Sequence, residues 1–498
     1  VSAAHLQLDG VGASLPVVRE AFQLGRSGGR GTLLAVPPEG GAAIVKFRPD
    51  MSDATLESAM GALAGARPPV AVVTLPAETR RLALDIEVTL EGVDGAGRPV
   101  QLPAAWPGVS ASAVLRDGQG LVHRFAAETR VGTGTSTAVV PLVAQLPGGE
   151  SGTPGGRLDL VAVEMAVTPM PSATLGGTLR LAAARASTAP AGDDWTDVGL
   201  DIVAGEWQAA FTDANPLVGS SEARFSVRPE LPGGTTAPVP ALVNAVFLDA
   251  TGAAVGDQIA IGEQFSTTRR IVVAGVVRGF PTLNPDEPLA ILDLPSAALA
   301  DYAERSRLLL APEWWLEAPD ADPEVLGSAL RGQPFAAAEV AIHRAELATR
   351  VGDPIALGMV GALALGSAAA WFFAALGFVV SAVVAARERL SEFALLRALG
   401  LSRRQLAMSL SLENAFLLLI SLAVGVALGA VLSWVVLPSV TLTAQGTPPL
   451  PAARVALPWD ALALLAVFGA VLLGVTLLVL RRLSSDAGLG SLLRMGEE

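Results

Sequence analysis

Three long apolar runs close this chain, at residues 355–386, 406–437 and 458–480. A membrane-spanning helix needs about 20 apolar residues in a row, and each run meets that length. Within a bilayer only helices and closed barrels satisfy their own backbone hydrogen bonds. The runs are therefore expected as transmembrane helices. The first opens at Asp353-Pro354, a capping carboxylate followed by a proline suited to the first helical turn. At roughly 1.5 Å per residue it would reach roughly 48 Å, more than a hydrocarbon core, so it should project past the bilayer. The second is expected to stop at Pro438 and the third at Arg481-Arg482.

The connections set an orientation. The first, 387–405, holds Arg387, Arg389, Arg397, Arg403 and Arg404, whereas the second, 438–457, holds only Arg454. The positive-inside rule then places 387–405 and the tail 483–498 in the cytoplasm, with 1–352 and the second loop outside. From Ala385 onward nine arginines face seven acidic residues, while the preceding part carries 25 basic and 40 acidic residues. Such an acidic front argues against nucleic acid as a partner. The first twenty residues carry no basic n-region and apolar core of a signal peptide. Export of the front part is therefore expected to depend on at least one further upstream helix.

The fold class expected is a multidomain membrane protein: a β-sandwich and an α+β domain outside, then three transmembrane α-helices. Residues 1–70 read as a partial α/β segment, with a strand at 43–47 and a helix at 53–64. Residues 71–214 read as a jelly-roll-like β-sandwich. There Leu82, Leu84, Ile86, Val88 and Leu90 alternate with Asp85, Glu87 and Thr89, and Asp94-Gly95 and Asp117-Gly118 mark turns. Residues 215–352 read as α+β, with strands at 242–247, 255–261, 270–277 and 289–292 and a helix at 296–307. A strand at 338–342 should feed the membrane part. That part divides into a helix at 353–386, the basic segment 387–405, a helix at 406–437, the loop 438–457, a helix at 458–482 and the tail 483–498.

Chemistry is sparse. There is no cysteine, and the single lysine, Lys46, lies in Ala-Ile-Val-Lys-Phe-Arg, so the chain has no phosphate-cradling Gly-Lys-Ser/Thr loop. His5, His123 and His343 are isolated, without metal-ligand spacing. No Gly-x-Ser-x-Gly elbow occurs. No enzyme, metal site or cofactor site emerges. Trp106, Trp195 and Trp207 fit either a sugar-stacking platform or packing at core and sheet edge, and packing weighs more. Glu413, early in the second apolar run, fits either a proton relay or, with more weight, an interfacial partner of an arginine such as Arg403 or Arg404. Gly425 and Gly429 form a small-xxx-small pair, which either brings helices close or is ordinary membrane-helix glycine.

Segment 387–405 carries two helix ends. Gly400 suits the C′ position, and Ser402-Arg-Arg-Gln405 fits a capping box that restarts a helix. Leu390, Phe393, Ala394, Leu396 and Leu399 keep near-helical spacing, leaving Glu388, Glu392 and Arg397 for water or a partner. On pattern alone, a helix lying on anionic lipid competes with a docking surface.

Glu392-Phe-Ala-Leu-Leu-Arg-Ala-Leu-Gly400, then Ser-Arg-Arg-Gln-Leu406, then Glu413, resembles the signature of FtsX-like permeases, including MacB-like ABC transporter permeases. The tail Leu492-Leu-Arg-Met-Gly-Glu497 is similar to that family's closing residues. Val255-Gly-Asp-Gln-Ile, with Val273-Ala-Gly-Val-Val277, is similar to the periplasmic core domain of MacB-like proteins. The resemblance implies a bacterial plasma-membrane subunit with a large extracytoplasmic domain between its first and second helices; this chain matches from that domain onward. It also implies a separate cytoplasmic ABC ATPase dimer, which holds the ATP, docking on 387–405 through Glu392, Phe393, Leu396, Arg397, Gly400, Arg403 and Arg404. The helix 355–386 would act as the lever. Other implied partners are a second permease copy or half, the lipid bilayer, and a cell-envelope ligand such as a lipid, lipoprotein, peptide or antibiotic. Two alternatives stay open: a non-transporting activator of cell-wall hydrolases, and a membrane-anchored β-sandwich receptor or carbohydrate binder with no ATPase.

Overall fold

The computed structural model describes residues 2–25, 29–70, 72–101, 108–145, 151–152, 156–167, 174–200, 207–212, 223–228, 237–262, 268–389, 392, 399–440 and 459–486. The chain forms two compact units, Val1–Ile342 and His343–Glu498.

The base of the first unit is a seven-stranded mixed sheet. Its order is Gln258–Gly262, Thr268–Val276, Val239–Val243, Leu289–Asp293, Arg30–Val36, Ala13–Gln23 and Glu313–Glu317. Residues 1–70 are thus not a segment apart from 215–352, because strands 13–36 lie inside the sheet built by 239–317. The reason is burial on both faces. Leu33 and Ala35 pack with Phe247, Leu292 and Tyr302, while Leu34 and Val36 pack with Met60 and Leu63 of the helix Leu56–Gly65. A doubly covered strand of this kind reads as a continuous apolar run rather than an alternating one.

Three local expectations for this unit are corrected. Residues 43–47 are not a strand: Gly40 turns the chain at φ +80° into a short helix, Gly41–Ile44. The strand expected at 242–247 ends at Val243, because the Asn244 side chain accepts the Phe247 amide at 3.0 Å and starts the helix Ala245–Thr251. Residues 338–342 form no strand. Val340 packs instead against Leu326, Leu330 and Phe335.

Between the helix ending at Gly65 and the strand beginning at Val239 the described residues form two larger antiparallel sheets, besides the small pair Ala144–Gln145 and Ser151–Gly152. One holds Ala223–Val227, Leu158–Val167, Val109–Asp117 and Val122–Ala126, with Val73–Thr74 beside Leu158–Val167. The other holds Thr196–Asp197, Thr174–Ser187, Arg81–Val93 and Pro99–Val100, with Gln208–Thr212 and Gly134–Pro141 added. Leu82, Leu84, Ile86 and Val88, alternating as expected, share one core with Ala113, Leu115, Leu160 and Met165. The opposite face of the first sheet is buried too, since Val114, Val122, Val161 and Ala162 pack with Leu294 and Tyr302 of the base. That double coverage explains why Leu158–Val167 is buried at all ten positions. Trp207 belongs to the shared core, and the Arg81 guanidinium lies 4.8 Å above the Trp195 ring, so both pack as core and edge residues; Trp106 falls outside the described residues.

His5 ends the helix Ser2–His5 in a small aromatic slot, stacked on Phe335 at 4.6 Å and tilted against Trp314 at 5.1 Å. Burial lowers its pKa from 6.5 to about 4. The folded state therefore holds this proton less tightly than the unfolded chain. Its stabilising contribution is complete above pH 6.5 and declines as pH falls from there toward about 4. His5→Phe is expected to flatten that part of the profile. Urea midpoints compared at about pH 7 and about pH 5 should converge for the variant and stay apart for the wild type.

The second unit is helical. The helix His343–Val351 precedes three long helices, Pro354–Glu388, Arg403–Val440 and Trp459–Asp486. Their apolar stretches, Leu357–Ala385, Ala415–Val435 and Trp459–Thr476, are long enough to cross a membrane. The first begins as expected, the Leu357 amide bonding to the Asp353 carbonyl at 2.9 Å. The second does not stop at Pro438 but continues to Val440, and the third passes Arg481-Arg482 to Asp486. Bilayer thickness limits the apolar stretch, not the helix, and arginine is a good helix former. Inside the bundle Trp371 and Phe468 lie 5.1 Å apart. No described atom approaches a Cβ position at Gly425 or Gly429 within 4 Å, so that pair meets no described neighbouring helix.

Candidate functional site

The basic segment lies between two well-defined helix ends. The first long helix finishes at Glu388, and the Arg389 amide still bonds to the Ala385 carbonyl at 3.3 Å. At the far end Gly400 takes φ +101°, a conformation L-side chains rarely adopt, which suits its expected role after a helix. The second long helix then starts with the capping box read from the sequence. Ser402 donates its amide to Gln405 Oε1 at 2.9 Å, and the Gln405 amide returns to Ser402 Oγ at 3.3 Å.

Of the expected docking residues, Glu392 is exposed and Gly400 forms the exposed turn. Arg403 and Arg404 lie in the first turn of the second long helix. Phe393, Leu396 and Arg397 fall outside the described residues. Flanking Gly400, Leu399 and Leu401 expose apolar side chains, 74% and 38% of their surfaces respectively. Leu401 was not singled out in the sequence, although it sits between two candidate positions.

Glu413 pairs with an arginine, as expected, and the described partner is Arg389 at the end of the other helix. Its two oxygens accept from Arg389 Nη1 at 3.1 and 2.8 Å. Helix geometry gives the reason. Arg403 lies ten residues earlier on the same helix, about 15 Å along the axis, whereas the first long helix brings Arg389 alongside. The signal was present in the depth of each residue: Arg389 lies four residues past the stretch ending at Ala385, and Glu413 two before the stretch starting at Ala415.

Ahead of the membrane part, the histidines stay apart. His5 is buried in its aromatic slot, His123 sits 2.8 Å from Asp117, and His343 begins its own helix. Among the described residues no three His, Cys, Asp or Glu side chains cluster as metal ligands. A cavity bounded by Arg67, Pro69, Arg116, Pro238 and Ser296 holds about 30 Å³, room for about one water.

No curated protein matches the chain. Residues 364–487 match the family model described as FtsX-like permease C-terminal. That match takes in most of the first long helix, the whole basic segment with its Gly400 turn and capping box, and the remaining two helices. Over residues 364–487 this chain is therefore similar to FtsX-like permeases in their C-terminal domain.

Proposed function

We propose that the protein is the membrane subunit of an ABC transporter of the FtsX/MacB mechanotransmission type. A separate cytoplasmic ATPase dimer docks on 387–405 and drives the long helices. The observation that carries this reading is the permease match over 364–487, which takes in most of the first membrane-length helix, the segment after it and the other two helices. The arginine-rich segment faces the cytoplasm by the positive-inside rule, and the unit 1–342 lies outside. ATP stays on the partner, since the single lysine is not set in a phosphate loop.

Docking is assigned to Glu392, Phe393, Leu396, Arg397, Gly400, Arg403 and Arg404, with the helix Pro354–Glu388 as lever. At 35 residues, about 52 Å at 1.5 Å each, that helix outreaches the hydrocarbon core and can carry motion through it. A second permease copy or half completes the membrane part. In the outer unit the two sheets form a β-sandwich carried on a MacB-like core-type domain. That unit acts on an envelope ligand of the lipid, lipoprotein, peptide or antibiotic class.

Docking is tested by pull-down of the ABC ATPase with the full chain in detergent. Phe393→Asp puts a charge into an apolar contact. Gly400→Pro replaces a turn at φ +101° with a residue locked near −65°. Each is expected to weaken association at least about tenfold. Unchanged association with both variants would overturn the docking assignment.

A further inference from the structure

The ion pair between Arg389 and Glu413 lies at one boundary of the membrane-length stretches, since the residues stand four and two positions outside the stretches Leu357–Ala385 and Ala415–Val435. It joins the end of one spanning helix to the start of the next. The stretch of chain between them, residues 390–412, is therefore tied at both ends. Beyond the tie, the second long helix extends back from Glu413 to Arg403, about 15 Å. A carboxylate at a bilayer boundary needs a partner, and Glu413 finds one at the end of the other spanning helix.

We propose that Arg389 and Glu413 form a clamp through which force on the coupling segment moves the first and second long helices as one body. The proposal rests on the reading of 387–405 as an ATPase-docking segment. With the clamp closed, displacement of the segment is delivered to both helices at the membrane boundary. With it open, displacement of the segment is no longer shared between the two helices, and docking proceeds without transmission. Both are positioning residues, acting through the helices they tie.

The test uses the full chain in lipid nanodiscs with the ABC ATPase that co-purifies with it. Two readouts are taken, ATPase affinity and stimulation of ATP hydrolysis by the permease. Glu413→Gln, which lies outside the docking segment, is expected to leave affinity within about twofold and to cut stimulation about fivefold or more, a split that loss of the docking surface would not give. The charge-swapped double variant, Arg389→Glu with Glu413→Arg, is expected to recover at least about half of the stimulation, because it restores the tie with the same two groups. Full stimulation in Glu413→Gln would overturn the clamp, as would a swap that recovers none while the protein keeps its wild-type melting temperature. Absence of any ATPase bound to the wild type would instead overturn the docking reading, and the clamp with it.

Discussion

Replacing Arg67 with Met is expected to destabilise the first unit by about 3–5 kcal/mol, because it strands a buried carboxylate. Asp293 is fully buried, and its two oxygens accept from Arg67 Nε at 2.9 Å and Nη2 at 2.8 Å. The same carboxylate caps the helix Leu294–Arg305 by accepting the Ser296 amide at 3.0 Å, so it cannot swing away toward water without opening that helix. Arg67 also stands immediately before Pro68-Pro69, where the chain leaves the base sheet for the two inserted sheets. Its Nη1, with Nη2 shared between the two carboxylates, binds Glu39. Burial alone would raise the Glu39 pKa, but the hydrogen bonds and charge of Arg67 outweigh it and hold it below the usual value. Glu39 is 57% exposed, however, and Glu39→Gln should cost less than about 1 kcal/mol. The double variant Arg67→Met with Asp293→Leu should regain most of the loss, keeping a deficit of about 1 kcal/mol for the missing helix cap. Urea unfolding of the full chain gives all three numbers. A loss below about 1 kcal/mol for Arg67→Met would show that water reaches Asp293.

What was legible in the sequence was local. The alternation at 82–90, the Asp353-Pro354 start and the Ser402–Gln405 box each depend on residues within a few positions of one another, and each appears as read. What was missed depended on distant partners. Arg30–Val36 is a central strand only because Leu289–Asp293 lies parallel beside it, more than 250 residues later. Its run Leu33-Leu34-Ala35-Val36 has no alternation to reveal it, since both faces are covered. Pro16 in Ala13–Gln23 further masked a strand whose partner there is Glu313–Glu317, where Pro16 faces Trp314. The candidate site divides the same way. Its ends, Gly400 and the capping box, were readable; that Glu413 meets an arginine was readable too, but which arginine was harder to see, because the tie joins two helices rather than two turns of one.

Asp301→Ala is expected to cost about 3–5 kcal/mol as well, for a different reason: it removes the anion that three arginines converge on. Asp301 is 1% exposed, and Arg269, from the strand Thr268–Val276, is 4% exposed. Oδ1 accepts from Arg269 Nη2 at 2.9 Å and Arg305 Nη1 at 2.7 Å; Oδ2 accepts from Arg307 Nε at 3.1 Å and Nη2 at 2.6 Å. Arg305 reaches the carboxylate from one helical turn on. Arg307 reaches it only because Ser306 takes φ +52° and folds the chain back over the helix end. Two outcomes separate electrostatics from shape. Asp301→Asn keeps the side chain's shape but leaves the buried Arg269 guanidinium facing a neutral amide, and should lose nearly as much as Asp301→Ala. Ser306→Gly keeps every charge and relaxes a left-handed residue, so it should be neutral or stabilising by up to about 1 kcal/mol. If Asp301→Asn melted like the wild type while Asp301→Ala did not, packing rather than charge would hold the helix Leu294–Arg305 against the sheet. The pattern expected is the reverse, with both Asp301 variants falling together and Ser306→Gly standing at or above the wild type.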